Sequence, residues 1–436
     1  MAAPPTEALT PAEWLVSWTI RLTWVFYAAG ALYMVGPVLG WTLAGMVFIG
    51  RYLRDALPER WRARPVPFTV WLWLGGMGAM WVALLIGHTQ FDLGFAKTVK
   101  STVGWAKGWA LLALFPLAGA CLFIRPAVIY RACCHLALQT LCLLPVLLIA
   151  PKLSLPEAIY TSPLRILGGP GPEFFTLQLY ITDPASGEPR WQFFTPWAPA
   201  AGMMGVVMLI CALEERDRRW LSIGVVGALA MIFLSKSRMA LVAFALVWPA
   251  AHLVSRARSP AVWGIGAVAA YLMGVIANPI FMAAGDAVAA FKAARADSTR
   301  VRETLGRIAV DRWWHEAPWF GHGVVERGPH LVEYMPIGSH HSWYGLLFVK
   351  GAIGALALAI PILVSLLECL LRAQVSTSGR VGFAVILMML LYSFGENLEM
   401  LVYLFWPASV LLGVALAVPA ICGESFDSEG RSISTK

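Results

Sequence analysis

The chain alternates long apolar runs with short polar segments, and the length of those runs fixes the first expectation. A transmembrane helix needs roughly 20 mostly apolar residues. Runs of that kind lie near 16–34, 36–52, 68–88, 103–123, 127–149, 197–213, 220–235, 239–255, 260–282, 342–367, 380–394 and 401–420. The pattern predicts an all-α polytopic membrane protein of about twelve transmembrane helices. The first two runs are divided at the turn-like Gly36-Pro37, the last two at Gly395-Glu396-Asn397. Two polar segments are much longer than the others, and they organise the chain. Helices over 1–149 precede a loop over 150–196, helices over 197–282 precede a second loop over 283–340, and helices over 341–421 precede a tail over 422–436. Residues 1–12 are Pro-rich without the basic stretch of a removable signal, so the N-terminus is expected to be retained.

Composition agrees with a lipid phase. With 59% hydrophobic and 13% charged residues, the polar surface is too small to coat a water-soluble globule of 436 residues. Lys and Arg in short loops set orientation. Arg51, Arg54, Arg60, Arg62 and Arg64, then Arg216, Arg218 and Arg219, then Arg256 and Arg258, then Arg372 and Arg380 all fall on one side if twelve spans leave both termini inside. The two long loops then lie outside and form a periplasmic cap. Most of the net charge of +8 is thereby topogenic, and it signals neither nucleic acid nor an acidic protein partner. The cysteines avoid the outer loops, and their spacing gives no disulfide framework and no metal motif.

In the first loop, Phe174–Ile181 and Trp191–Phe194 are β-prone, with turn chemistry at 183–187 between them, so a hairpin is expected. In the second, Val301, Leu305, Ile308 and Ala309 share one face of a helix over Val301–Trp314, with Glu303–Arg307 and Arg307–Asp311 as i,i+4 pairs on the other. Such a helix could equally lie on lipid headgroups.

The basic residues left on the outer side need another reason than topology. Lys236 and Arg238, then Arg300 and Arg302, then His340 and His341 stand beside apolar spans and imply an anion site at the membrane surface. Each has an ordinary alternative: Arg238 could cap carbonyls or snorkel to lipid phosphate, and an interfacial histidine could bond a headgroup. Glu396 and Glu399 could orient hydroxyls or simply be solvated. Tyr334 and Trp343 suit sugar stacking or an interfacial belt, and Lys350 suits a buried phosphate or snorkelling.

Four of these segments together resemble a known family. His340-His341-Ser342-Trp343-Tyr344, with Gly351 and Gly354 following, is similar to the His-Asn-x-aromatic…Gly-x-x-Gly signature of the O-antigen ligase and Wzy-type polysaccharide polymerase superfamily. Ser235-Lys236-Ser237-Arg238 resembles its Ser-Arg motif, and Arg302…Pro318…Gly321-His322-Gly323 resembles its Arg…Pro-x-x-Gly-x-Gly stretch. Arg190–Trp197 sits where the family has Arg-x-x-Gly-x-x-x-Pro-Asn, with Trp197 in the Asn position; His341 likewise takes the place of the Asn after the first motif's His. The resemblance implies transfer of a glycan from an undecaprenyl-diphosphate-linked donor to a glycan or lipid-linked acceptor, at the periplasmic face of a bacterial inner membrane, with no cofactor and no metal. With it, Arg190, Arg238 and Arg302 are expected to form a diphosphate clamp and His340 to act as general base; Arg300, Lys236 and His341 from the outer cation cluster, and Glu396 from the junction of the last two spans, are the further substrate-binding candidates. A polymerase and a ligase share these motifs, and the Pro-Trp departure tilts the reading to a polymerase. The alternatives from other classes are a flippase or transporter, whose polar sites would lie at the bilayer midplane, and a scaffold protein.

Overall fold

A computed structural model describes residues 8–183, 187–275, 296–332, 334–338 and 341–417, together with residues 425–426 and 432–433. The protein is mostly helical. The first half contributes α1 (Pro11–Arg21), α2 (Thr23–Ala28), α3 (Leu32–Tyr52), α4 (Phe68–Gln90), α5 (Phe95–Lys107), α6 (Leu111–Cys121) and α7 (Pro126–Ile149). The second contributes α8 (Ala198–Leu213), α9 (Arg218–Leu234), α10 (Arg238–Ser255), α11 (Pro260–Val275), α12 (Ala296–Glu316), α13 (Ser342–Ala373), α14 (Thr377–Ser393) and α15 (Leu398–Leu416).

Seven helical segments among the described residues are long and apolar enough to cross a membrane: α3, α4, α5–α6 taken together, α7, α10, α13 and α15. The apolar α8 and α14 are shorter, so among the described residues the structure bears out a helical, membrane-compatible chain with seven full-length candidates. On α13, Leu356, Ile360, Leu363, Leu367 and Leu371 recur every three or four residues and all face outward. An exposed apolar stripe of that length is costly in water and ordinary in lipid.

At the centre of the bundle lies α15, packed on α6, α14, α3 and α8. Glycine sets its closest approach: a Cβ on Gly119 would come within 2.0 Å of the Val410 carbonyl oxygen, and one on Gly413 within 2.1 Å of the Pro116 carbonyl oxygen. Reciprocal bare backbones let the two helices pack by dispersion where no hydrophobic effect drives association. The same logic corrects the Gly36-Pro37 division. Both residues lie inside α3, and a Cβ on Gly36 would fall 2.6 Å from that of Tyr403. The chain turns earlier, at Gly30, whose φ of 62° is the left-handed conformation glycine tolerates. The division at Gly395-Glu396-Asn397 stands: α14 ends at Ser393, and the Asn397 side chain accepts from the Glu399 N–H as the N-cap of α15.

Ion pairs stitch one end of the bundle. Glu13–Arg125 (2.6 Å), Arg131–Glu215 (2.9 Å) and Arg380–Glu214 (2.7 Å) join α1, α7, the 214–217 turn and α14. Both long loops gather at the opposite end. In the first, β1 (Ala158–Thr161) pairs antiparallel with β2 (Thr176–Gln178), and β3 (Ile181–Thr182) with β4 (Pro189–Arg190). The expected hairpin is therefore shorter and its halves are divided: residues 176–178 pair upstream, and 191–194 form no strand. Pro189 and the positive φ of Phe193 (54°) end the second arm, and Phe193 and Phe194 bury themselves in the helical core. In the second loop, β5 (Glu326–Arg327) pairs with β6 (Pro336–Ile337).

The second loop also enters the bundle. α13 is interrupted at Gly351, where φ is 65° and ψ −164°. Unbroken, it would bond Ala352 to Phe348 and Ile353 to Val349. Instead the loop takes both pairs apart: His322 N–H donates to the Phe348 carbonyl (2.8 Å) and Gly323 N–H to that of Val349 (2.9 Å), while Ala352 N–H donates to the Pro318 carbonyl (2.8 Å) and Ile353 N–H to that of Trp319 (3.2 Å). All four of these groups are satisfied, as a low-dielectric setting demands. Three glycines make room: a Cβ on Gly351 would lie 2.3 Å from the Trp319 carbonyl carbon, one on Gly321 2.4 Å from the Lys350 nitrogen, and one on Gly354 2.3 Å from the Lys350 Cβ.

Gly351→Ala is accordingly expected to destabilise the protein by about 1–3 kcal/mol, read as a lower melting temperature of detergent-purified protein. Gly75→Ala in α4, whose added methyl meets nothing within 4 Å, is the control and should be neutral or gain up to about 1 kcal/mol.

Candidate active site

The break in α13 fixes where α12 sits. The apolar face expected for this helix is real: Val301, Leu305 and Ala309 are buried against Val332, Ile337 and Phe348. That face packs on protein and is not laid on headgroups. Arg307, expected at the centre of two i,i+4 pairs, bonds the Thr304 hydroxyl at 3.3 Å. The helix's bidentate pair is one turn further on, where Arg312 grips Glu316 (2.8 Å) and also Glu326 (2.6 Å). Glu316 in turn accepts from His322 Nε2 at 2.7 Å, and His322 Nδ1 lies 3.0 Å from the Phe348 carbonyl. His322 is fully buried and stacked on Phe348. Arg312, with help from His322, holds the Glu316 carboxyl down to about 2. This network pins the Pro318–Gly323 turn into the helix break; the sequence singled out the glycines but gave no sign of the pin.

So anchored, α12 presents its polar face to a cavity of about 900 Å3 whose wall includes Arg302, Arg307, Asp311, Trp314, His341 and Tyr344. Arg302 donates to the Gly395 carbonyl at 3.2 Å, which ties α12 to the turn between α14 and α15. Ser342 ties α13 to the same turn: its hydroxyl donates to the Glu396 carbonyl (2.7 Å) and accepts from the Leu398 N–H (3.0 Å). Three elements therefore meet at Gly395-Glu396.

His341 is the N-cap of α13. Its Nδ1 accepts from the N–H groups of Trp343 (3.2 Å) and Tyr344 (3.4 Å), so the neutral ring carries its proton on Nε2. Burial, reinforced by the charge of Arg302, lowers its pKa to about 4. At neutral pH this ring is a hydrogen-bond donor, held flat against Tyr344 at 4.2 Å. It performs the capping an Asn would perform, which is the residue the resembled motif has there. His340 lies outside the described residues.

Glu396 is buried behind the cavity wall, 7% exposed. Its carboxylate accepts from the Trp197 indole at 3.0 Å, so the Trp that departs from the motif holds the acid. Burial pushes the Glu396 carboxyl up to about 7, against the lowering effects of Arg302 and that indole. The first turn of α10 reaches the same turn through Met239, whose methyl would meet a Cβ on Gly395 at 2.7 Å. Arg300 is exposed on α12. Arg190 and Lys236 form a separate patch. Arg190 pairs with Asp183 (3.7 Å) and donates to the Ser235 carbonyl (3.2 Å), and Lys236 pairs with Glu188 (2.5 Å). They fasten the β3–β4 hairpin to the Ser235–Arg238 bend. Of the residues expected at the site, the structure thus brings Arg302, His341 and Glu396 together, and keeps Arg238, Arg190 and Lys236 off the cavity wall. Arg307, Asp311 and Trp314 were missed because an amphipathic pattern reports which face is polar and not what that face encloses.

No model of a known protein family matches the chain, and no curated protein matches it.

Two outcomes follow. His341→Asn keeps the cap and should match the wild type in thermal stability, whereas His341→Ala should lose about 1 kcal/mol. That difference should be present at pH 7 and shrink as pH falls from the ordinary imidazole range toward 4, since the folded ring resists protonation that the unfolded chain accepts. In infrared titration, the protonated-carboxyl band removed by Glu396→Gln should disappear with a midpoint near pH 7. In Arg302→Met the midpoint should rise, because the cation that lowers it is gone.

Proposed function

We propose that this chain is a twelve-span membrane glycosyltransferase that moves a glycan from a polyprenyl-diphosphate carrier to an acceptor hydroxyl at the periplasmic surface. The observation that carries the reading is the 900 Å3 cavity beside the first turn of α13, where Arg302 and Arg307 share a wall with the neutral His341 and with Trp314 and Tyr344. Cations, a fixed N–H donor and aromatic faces suit a sugar diphosphate. The two-ended arrangement of the bundle, with arginine-rich turns at one end and the cavity at the other, agrees with the orientation given by the loop charges.

The chemistry is a substitution at the anomeric carbon. The acceptor oxygen attacks, the bond from that carbon to the diphosphate oxygen breaks, and polyprenyl diphosphate leaves with the electron pair. Arg302 and Arg307 hold the phosphate oxygens, remaining charged at every relevant pH. Preorganised cations of this kind commonly contribute about 3–4 kcal/mol each to the barrier. His341 keeps its proton and donates an Nε2–H hydrogen bond to the leaving diphosphate oxygen, and Glu396 steadies Arg302 from behind. The acceptor's proton goes to His340, on the register of the motif. Arg190, one of three arginines expected in the clamp, serves here as the tie between hairpin and bend. Between the two transferases that share these motifs we favour a polymerase. A flippase is the second reading, since a broken helix such as α13 recurs in transporters; it predicts carrier movement without bond formation.

Arg302→Lys keeps the charge and loses the fork, and should cut transfer by about 10²–10³ at normal membrane levels; wild-type transfer would remove Arg302 from the mechanism. Purified protein given donor alone should return a ladder of lengthening glycans if it is a polymerase, and nothing without a core-lipid acceptor if it is a ligase. Single cysteines within 160–180 or 310–330 should react with an impermeant thiol reagent added outside, and those within 52–64 should not.

A further inference from the structure

Lys350 sits in the first segment of the broken helix, just before Gly351, and is only 4% exposed. No hydrogen bond or ion pair holds its ammonium among the described residues, and the carboxyl that shares its chamber is that of Glu399. A buried ammonium without a direct partner is expensive, so what lies around it matters. It lines a chamber of about 200 Å3 with Glu399, Trp109, Ser101 and Ser342. The imidazole of His88, one shell back, bonds Ser101 at 3.0 Å. This chamber shares Gly104, Glu399 and Met400 with a second cavity of about 350 Å3, whose wall carries Tyr33, Lys100 and Lys107. Lys107 is committed to the carbonyls of Leu167 (2.8 Å) and Gly168 (3.1 Å), which fastens the first long loop over that cavity.

The Lys350 chamber and the 900 Å3 cavity lie on two sides of one wall. Gly338 lines both, His341 faces one and Ser342 the other. An ammonium and a carboxylate lining one chamber of about 200 Å3, with a hydroxyl and an indole beside them, match vicinal sugar hydroxyls, each of which accepts from one and donates to the other. They do not match a diphosphate, which Glu399 would repel. Building on the transferase reading above, we propose that the paired chambers beneath Lys350 form the acceptor-glycan site, reached from the Lys100–Lys107 flank, so that donor and acceptor approach the wall carrying Gly338, His341 and Ser342 from opposite sides.

The test uses the full-length protein in nanodiscs and two probes, with binding followed by calorimetry. One probe is a short oligosaccharide freed from the host's own surface polysaccharide, and the other is farnesyl diphosphate, a donor-end mimic without sugar. Lys350→Met should weaken the oligosaccharide by roughly tenfold or more, the loss of a charged hydrogen bond, and leave farnesyl diphosphate unchanged. Gly104→Leu, at a residue that lines both cavities and whose added Cβ meets no atom within 4 Å, should narrow the passage with the same result and keeps the test decisive if Lys350→Met fails to fold. The proposal is overturned if the wild type binds no oligosaccharide, if the folded variants bind it as the wild type does, or if they lose farnesyl diphosphate instead. Arg302→Lys separates the two claims: full transfer in that variant sinks the clamp, whatever the oligosaccharide does at Lys350.

Discussion

The exchange of two backbone hydrogen-bond pairs at Gly351 is the constraint on which the rest of the site depends. A helix in a bilayer cannot be cut without leaving N–H and C=O groups unpaired, each at a cost of about 1–3 kcal/mol or more. Here the Pro318–Gly323 turn supplies partners for all four groups. Once that turn is seated, α12 is held at its C-terminal end by the Arg312–Glu316–His322 network and at its N-terminal side by Arg302 on Gly395. The position of the arginine face over the start of α13 therefore follows from main-chain geometry, with side chains securing it.

Electrostatics then divide the labour among nearby groups. The cation of Arg302 lowers the pKa of both His341 and Glu396, but it acts on groups of opposite type. For the imidazole it adds to burial and keeps the ring neutral. For the carboxyl it opposes burial and leaves the acid near half-ionisation at neutral pH. One charge thereby fixes a donor on the cavity wall and a counter-charge behind it.

Much of the local structure was legible in the sequence, and what failed has a common cause. The Gly395-Glu396-Asn397 turn was readable because a glycine and an N-cap asparagine carry distinct backbone meanings. The face of α12 was readable from its period. Gly36 was misread because a glycine that breaks a helix and one that lets a neighbour approach look alike until the neighbour, Tyr403, is known. The same ambiguity hid the role of Gly321 and Gly351, which proved to be one feature seen from two distant stretches of chain. Arg190 and Lys236 were recognised as outer-side cations, but their partners Asp183 and Glu188 lie on a hairpin whose register local pattern did not give. Charge is visible in a sequence; whether it is already neutralised is a tertiary fact.

The exchange at Gly351 also bears on assembly. The groups taken by the turn are the ones α13 would pair internally, Ala352 with Phe348 and Ile353 with Val349, so the segment is satisfied both as a straight rod and as a broken one. The turn is synthesised before α13. The helix can thus cross the bilayer unbroken, with its own bonds intact, and be opened afterwards when 318–323 docks against it. Insertion and site formation become separable events, and the lipid never has to accommodate an exposed backbone.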